Sequence, residues 1–210
     1  MQLDLFPLHT VLFPHMRLPL HIFEPRYRVM IRACIDEERP FGVALIRSGD
    51  EVGGPAEPHP VGTTARITQH ETLPDGRMNI EAVGEERFRI DALEQQEPHL
   101  TASVTLDAMP VTDPRQMASL AASVREDYRK ALRLTLELQG AFGTHEELPR
   151  DPERFAYFTA SALPATASTR QNLLESPSVE ELLAREAKLM QRLLRDLREL
   201  LETRQNSRLN

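Results

Sequence analysis

Along the first 110 residues, apolar positions come in short blocks with the period of two expected of strands, and prolines and glycines punctuate them. Phe41–Ile46 is an apolar run of strand length. Val61–Thr68 is rich in β-branched residues. Met78–Val83, Arg87–Leu93 and Leu100–Leu106 alternate or carry β-branched positions. Between two of these blocks, Leu73-Pro-Asp-Gly-Arg77 has a proline to set φ and a glycine to accept φ > 0, which predicts a hairpin turn. A single helix is predicted at about Pro25 to Glu37. Ser48 to Pro60, with Gly53-Gly54-Pro55, reads as a mobile loop. The opening run, Leu3 to Arg28, places apolar residues around Pro7, Pro14, Pro19 and Pro25. Proline has no amide hydrogen and a fixed φ, so this run is expected as short extended pieces with Pro7, Pro14 and Pro19 at corners.

Beyond residue 110 the period changes to that of helices. Asp113-Pro114 and Asp151-Pro152 each put a capping aspartate before a proline at the first helical position. Ser168-Thr-Arg-Gln171 and Ser178-Val-Glu-Glu181 match a capping box. Met117, Leu120, Val124, Tyr128, Ala131 and Leu138 then share one helical face. Leu182, Leu189, Leu193, Leu197 and Leu200 do so over a last helix of about 25 residues. Four capped helices with one apolar face each predict a bundle. The charged residues of the last helix, such as Arg192, Arg195, Asp196 and Glu199, alternate in sign and read as a solvated face. The expected architecture is α+β, with a strand subdomain over 1–110 and a helical subdomain over 111–210.

Charge sharpens this division. Residues 1–110 hold 10 basic and 17 acidic side chains, whereas residues 111–210 hold 15 of each, so the net charge of −7 lies in the strand half. Binding to a nucleic-acid backbone needs a basic surface, so this half is a poor candidate for it. The single cysteine, Cys34, excludes an internal disulfide and reads as a small buried apolar residue of the first helix. No apolar stretch reaches the roughly 20 residues that cross a bilayer, and no secretion signal opens the chain, so a cytoplasmic protein is expected.

Sites of known chemistry are missing from the sequence. There is no phosphate-binding G-x-x-x-x-G-K-[ST], no H-E-x-x-H and no G-x-S-x-G. The seven histidines form no i,i+4 pair, so no metal site is expected. The only lysines, Lys130 and Lys188, lie among charged neighbours, unlike the desolvated lysine of a Ser–Lys dyad. Neither a catalytic residue nor a cofactor is expected.

The order of motifs resembles the Lon substrate-binding domain, the N-terminal region of ATP-dependent Lon proteases. The resemblance rests on Leu5-Phe-Pro-Leu-His9, Val11-Leu-Phe-Pro14 and Leu18-Pro-Leu20, then Val61-Gly-Thr63, Ile67 and the turn Leu73–Arg77. Val83-Gly84 followed by Arg87-Phe-Arg-Ile90 continues it, as do Ala162-Leu-Pro164 and Gln171–Glu175 before the long leucine helix. Each motif is weak alone; their joint order and spacing are specific. Ile22–Arg28 looks like the stand-alone bacterial version, without the ATPase and protease modules, so Lon's catalytic residues are not carried over. The resemblance implies a mostly antiparallel PUA-like β-barrel with one helix, followed by a C-terminal helical bundle. It also implies a non-catalytic module, adaptor-like in protein quality control, that recognises polypeptide. Candidate contacts are Phe13, Met16, Phe23 and Tyr27, for which packing between barrel and bundle is the competing expectation. Two alternatives are nucleic-acid binding, disfavoured by the acidic barrel half, and small-molecule binding in the barrel, disfavoured by the absence of tryptophan. A peptidase label would follow from homology alone. The oligomeric state and the identity of the partner are not legible.

Overall fold

The computed structural model describes residues 1–51, 56–95, 98–141 and 147–209. The chain begins with β1 (Gln2–Leu8), β2 (Arg17–Ile22), α1 (Pro25–Asp36), β3 (Phe41–Gly49), β4 (Ala56–Pro58), β5 (Val61–Thr72), β6 (Met78–Gln95) and β7 (Leu100–Leu106). It continues with α2 (Pro114–Gln139), α3 (Pro152–Ala162), α4 (Ala167–Leu174) and α5 (Val179–Leu209). The fold is α+β. One sheet runs β1–β7–β6–β5–β3, and β1 also pairs with β3, so five strands close into a barrel. The β1–β3 pair is parallel and the other pairings are antiparallel.

Two of the prolines expected at corners stand inside strands. Pro7 lies in β1 opposite Ala44, beyond Leu5, the last β1 residue paired with β7, so its missing N–H costs only a ladder that has already ended. Pro19 lies in β2, which pairs with β6 alone. Pro14 does sit at the turn between β1 and β2, where His15 takes a positive φ of 66°. The predicted loop at 48–60 is also partly strand: Ser48 and Gly49 pair with Glu57 and Ala56 across β3 and β4. Residues 52–55 of that reading lie outside the described residues. The Leu73–Arg77 hairpin forms as predicted, with Gly76 at φ 80°.

Close backbone approach fixes one glycine. Gly84 donates to Met16 O (2.9 Å) and accepts from His15 N (2.7 Å), and a β-carbon there would stand 2.3 Å from Phe13 O. The neighbouring atom is backbone, so it cannot swing away. Gly84→Ala is expected to destabilise by about 1–3 kcal/mol through overpacking, measured by urea denaturation. A loss within the noise of such measurements would show that the β2 entry loop yields freely.

Contacts divide the chain into two compact units: Met1–Met109 with Ala165–Glu175, and Pro110–Pro164 with Ser176–Asn210. The segment 165–175, expected in the helical subdomain, therefore joins the strands. The reason is polar as well as apolar. Arg87 on β6 is 5% exposed; its Nη1 donates to Leu174 O (3.0 Å) and its Nε to Asp107 O (2.7 Å), while Nη2 lies 3.2 Å from the Asp107 carboxylate. The Gln171 amide donates to Val61 O (2.9 Å). Inside the unit, Leu3, Leu5, Phe88, Leu100, Ala102 and Val104 form one core cluster. A larger one includes Tyr27, Met30, Ile31 and Cys34, the buried stripe of α1.

In the second unit, Ala131, Leu163, Met190, Leu194 and Leu197 form the core. Leu201 is 9% exposed and Leu200 is 57% exposed, so the stripe near the end of α5 runs through 201 rather than the expected 200. Asp113 caps α2, Asp151 caps α3 and Ser178 accepts from Glu181 N, as the sequence predicts. The cap of α4 is Thr166 rather than Ser168, because the chain is already helical at 167. Glu180 accepts from the N–H groups of Thr112 (2.8 Å) and Asp113 (2.7 Å). Burial would raise its pKa, but the N–H of Asp113, its own N–H, the Ser178 hydroxyl and the Thr112 N–H together hold it down to about 2.

Candidate functional site

The sequence supplies β2 with apolar residues at every second position, and the barrel uses them on one face. Leu18 and Ile22 are buried opposite Ala82 and Met78 of β6, and half-buried Leu20 faces Ile80. Because Met16 O bonds Gly84, strand alternation turns the backbone groups of residues 18, 20 and 22 toward β6 and those of 17, 19 and 21 away from it. Pro19 thus stands on the outward side, where its missing N–H breaks no ladder. The outward edge still offers the N–H groups of Arg17 and His21 and three carbonyls. Among the described residues no strand pairs with it.

Beside this edge lies a cleft of 160 Å³, lined by Phe6, Leu8, Leu20, Phe23 and Tyr27, with Glu24 and Glu51 at its polar side. A dry apolar cavity of about 150 Å³ is large enough to take a benzene ring. Tyr27 is buried and stacks on Phe6 with ring centroids 4.0 Å apart, and the Arg26 guanidinium lies 4.6 Å over its ring. Burial foremost pushes the Tyr27 hydroxyl above its ordinary value, so it stays protonated. Phe23 is 48% exposed at the cleft's rim, its ring 6.2 Å from that of His21. The Glu51 carboxylate accepts from His9 N (2.7 Å), and Glu24 pairs with Arg26 (3.1 Å).

Of the four candidate contacts, the structure brings Phe23 and Tyr27 to this cleft. Phe13 is wholly buried and Met16 packs half-buried against the barrel core, so neither lines it. The open edge itself was not read from the sequence, although a proline within an apolar strand is its signal.

A second cavity of 320 Å³ lies between the end of α1 and β5 and includes Cys34. Burial foremost raises the Cys34 thiol to about 11, which leaves it protonated and a poor nucleophile at neutral pH. Lys130 is a surface cation, hydrogen-bonded to Glu126 (2.8 Å), which raises its pKa; Lys188 is exposed. Among the described residues no three His, Cys, Asp or Glu side chains converge on a metal-sized space. None of the described helices is long and apolar enough to cross a membrane.

The family described as the ATP-dependent protease La (LON) substrate-binding domain matches residues 2–192. The chain is similar to Lon protease of Escherichia coli, 26% identical over 182 residues, and to that of Amoebophilus asiaticus, 27% identical over 192 residues. These matches cover 86% and 90% of this chain but 23% of each relative's length, and they lie in the substrate-binding domain rather than the protease domain. Among solved structures, a Lon N-terminal domain protein from Xanthomonas campestris superposes with a TM-score of 0.61 at 25% identity, covering 88% of this chain and 95% of that one. The N-terminal domain of a Mycobacterium avium complex Lon protease gives 0.66 at 20% identity, covering 91% and 98%, a likeness of fold.

Proposed function

Since the chain belongs to the Lon substrate-binding domain family, we propose that it is a non-catalytic, cytoplasmic module that binds polypeptide and acts as an adaptor in protein quality control. The observation that carries this reading is the β2 edge, with which no strand pairs among the described residues, beside an apolar cleft with a half-exposed phenylalanine at its rim. An extended segment can add to such an edge through backbone hydrogen bonds, which are indifferent to sequence. The cleft then takes one large side chain of the segment and supplies selectivity. Glu51, whose carboxylate accepts from the His9 N–H and forms no ion pair among the described residues, favours a segment with a basic residue next to that side chain.

Two features weigh against the rival readings. Nucleic-acid binding would have to work against the 17 carboxylates of residues 1–110. Catalysis by the lone cysteine or by Lys130 has little support: the thiol is buried and protonated, and the lysine is a surface cation hydrogen-bonded to Glu126.

The test is fluorescence anisotropy with labelled, chemically unfolded polypeptide. Phe23→Ser is expected to weaken binding about tenfold, as loss of an aromatic anchor does. The same change should leave stability within about 0.5 kcal/mol, because the side chain is half-exposed. Equal affinities of the two proteins would remove the cleft from the binding surface.

A further inference from the structure

Of the ten arginines in residues 1–110, eight form ion pairs with carboxylates. The two whose guanidinium groups have no carboxylate or hydrogen-bond partner among the described residues are Arg28 and Arg32. They stand one turn apart on the outward face of α1, where like charges at i,i+4 repel each other and weaken the helix. Seventeen carboxylates in the same stretch of chain make this omission notable. Local rules of this kind are broken chiefly at functional positions.

Both guanidinium groups border an open groove of 630 Å³ between α1 and the β5–β6 turn. The apolar part of its lining is Val29, 64% exposed, with Pro25 and Ala33, above the buried Met78. Gly76 in the turn makes room for one of the cations: a β-carbon there would fall 2.0 Å from Arg28 Nη2. The groove thus combines two unengaged forked cations with a strip able to bury a side chain. Asp36, one turn beyond Arg32 on α1, and Glu37 also line it, and Glu37 is already paired with Arg39.

We infer that this groove binds an acidic and apolar polypeptide segment, its carboxylates on Arg28 and Arg32 and an apolar side chain on Val29. This rests on the reading of the module as a polypeptide binder and adds a second contact surface to it. Guanidinium forks bind carboxylate and phosphate alike. The net negative charge of the barrel half and the carboxylates of Asp36 and Glu37 repel a polyanion but tolerate one or two acidic residues among apolar ones.

The experiment titrates the full chain with a short labelled peptide carrying two glutamates beside leucine and phenylalanine, and with its glutamine counterpart. The glutamate peptide is expected to bind about tenfold more tightly at low salt, and to perturb the amide signals of Val29, Ala33 and Gly76. In Arg28→Gln/Arg32→Glu the preference should disappear. The single change Arg32→Glu, at an exposed position, should reduce it without touching the Arg28 contact to Gly76. Equal binding of the two peptides, an unchanged preference in both variants, or displacement of the glutamate peptide by single-stranded RNA would overturn the acidic-segment site alone. If neither peptide nor unfolded polypeptide binds, the reading of the module as a polypeptide binder falls as well.

Discussion

Replacing Arg87 by alanine is expected to destabilise the strand unit by about 3 kcal/mol, a fall in Tm of about 6–12 °C for a chain of this size. The side chain is almost wholly buried, and three groups converge on it: the main-chain carbonyls of Asp107 and Leu174, and the Asp107 carboxylate. Alanine would leave two carbonyls without this donor, and an unmade hydrogen bond in a buried place costs about 1–3 kcal/mol. Asp107 is partly solvated and also lies 3.3 Å from Arg89, so its carboxylate adds less than a fully buried one would. Arg87→Lys should recover part of the charge but not the fork, because three separate acceptors need the planar geometry of guanidinium. Guanidinium-chloride unfolding of both variants measures the effect. A loss below about 1 kcal/mol for alanine would mean that water replaces the arginine at no cost.

Replacing Glu186 should have the opposite sign. Its side chain is fully buried in the second unit, and neither carboxylate oxygen has a hydrogen-bond partner among the described residues. Burial raises its pKa well above the ordinary 4.5; the Ala160 N–H nearby, outside hydrogen-bond geometry, opposes the shift. The native state therefore keeps a proton that the unfolded chain releases above pH 4.5. Stability associated with this group is complete below that pH. It declines by about 1.4 kcal/mol per pH unit until the native carboxyl itself ionises. Glu186→Gln should remove that slope, and Glu186→Leu should also stabilise by about 2 kcal/mol at neutral pH, as apolar replacements of buried charges do. Glu180 behaves in the reverse sense: its contribution is present above pH 4.5 and is lost only as the pH falls toward 2. The two groups therefore do not interfere between pH 5 and 7. Parallel denaturation curves for wild type and Glu186→Gln across that range would refute the assignment.

Much of this architecture could be read from residue types that have one local meaning. Asp113-Pro114, Asp151-Pro152 and the Leu73–Arg77 turn set element ends through capping and dihedral preference, and the structure keeps all three. Errors arose where a local rule met a tertiary contact. Pro7 and Pro19 read as corners because a proline lacks the N–H that continues a ladder; the barrel instead gives each a side with no strand neighbour among the described residues. The α4 segment read as one more bundle helix. Its partners, Arg87 and Val61, lie some 80 to 110 residues earlier in the chain, at a distance that local periodicity does not reach. Of the four residues that the sequence offers as contacts, two line the candidate cleft, Phe23 at its exposed rim and Tyr27 buried within it; Phe13 looks no different in sequence and is wholly buried away from it. Arg28 and Arg32 gave no signal, because an unpaired cation becomes visible only when every other pairing is known.

The return of residues 165–175 to the strands also bears on how the protein is made. When residue 109 leaves the ribosome, every strand has been synthesised, yet the guanidinium of Arg87 lacks its Leu174 acceptor and Val61 O lacks its Gln171 donor. The nascent barrel must wait through some 65 further residues, including the whole of α2 and α3, before it can close its hydrogen bonds. At typical elongation rates of about 5–20 residues per second, that wait lasts on the order of seconds. Slow codons or a bound chaperone in that window would act on an almost complete barrel with an unfilled seam.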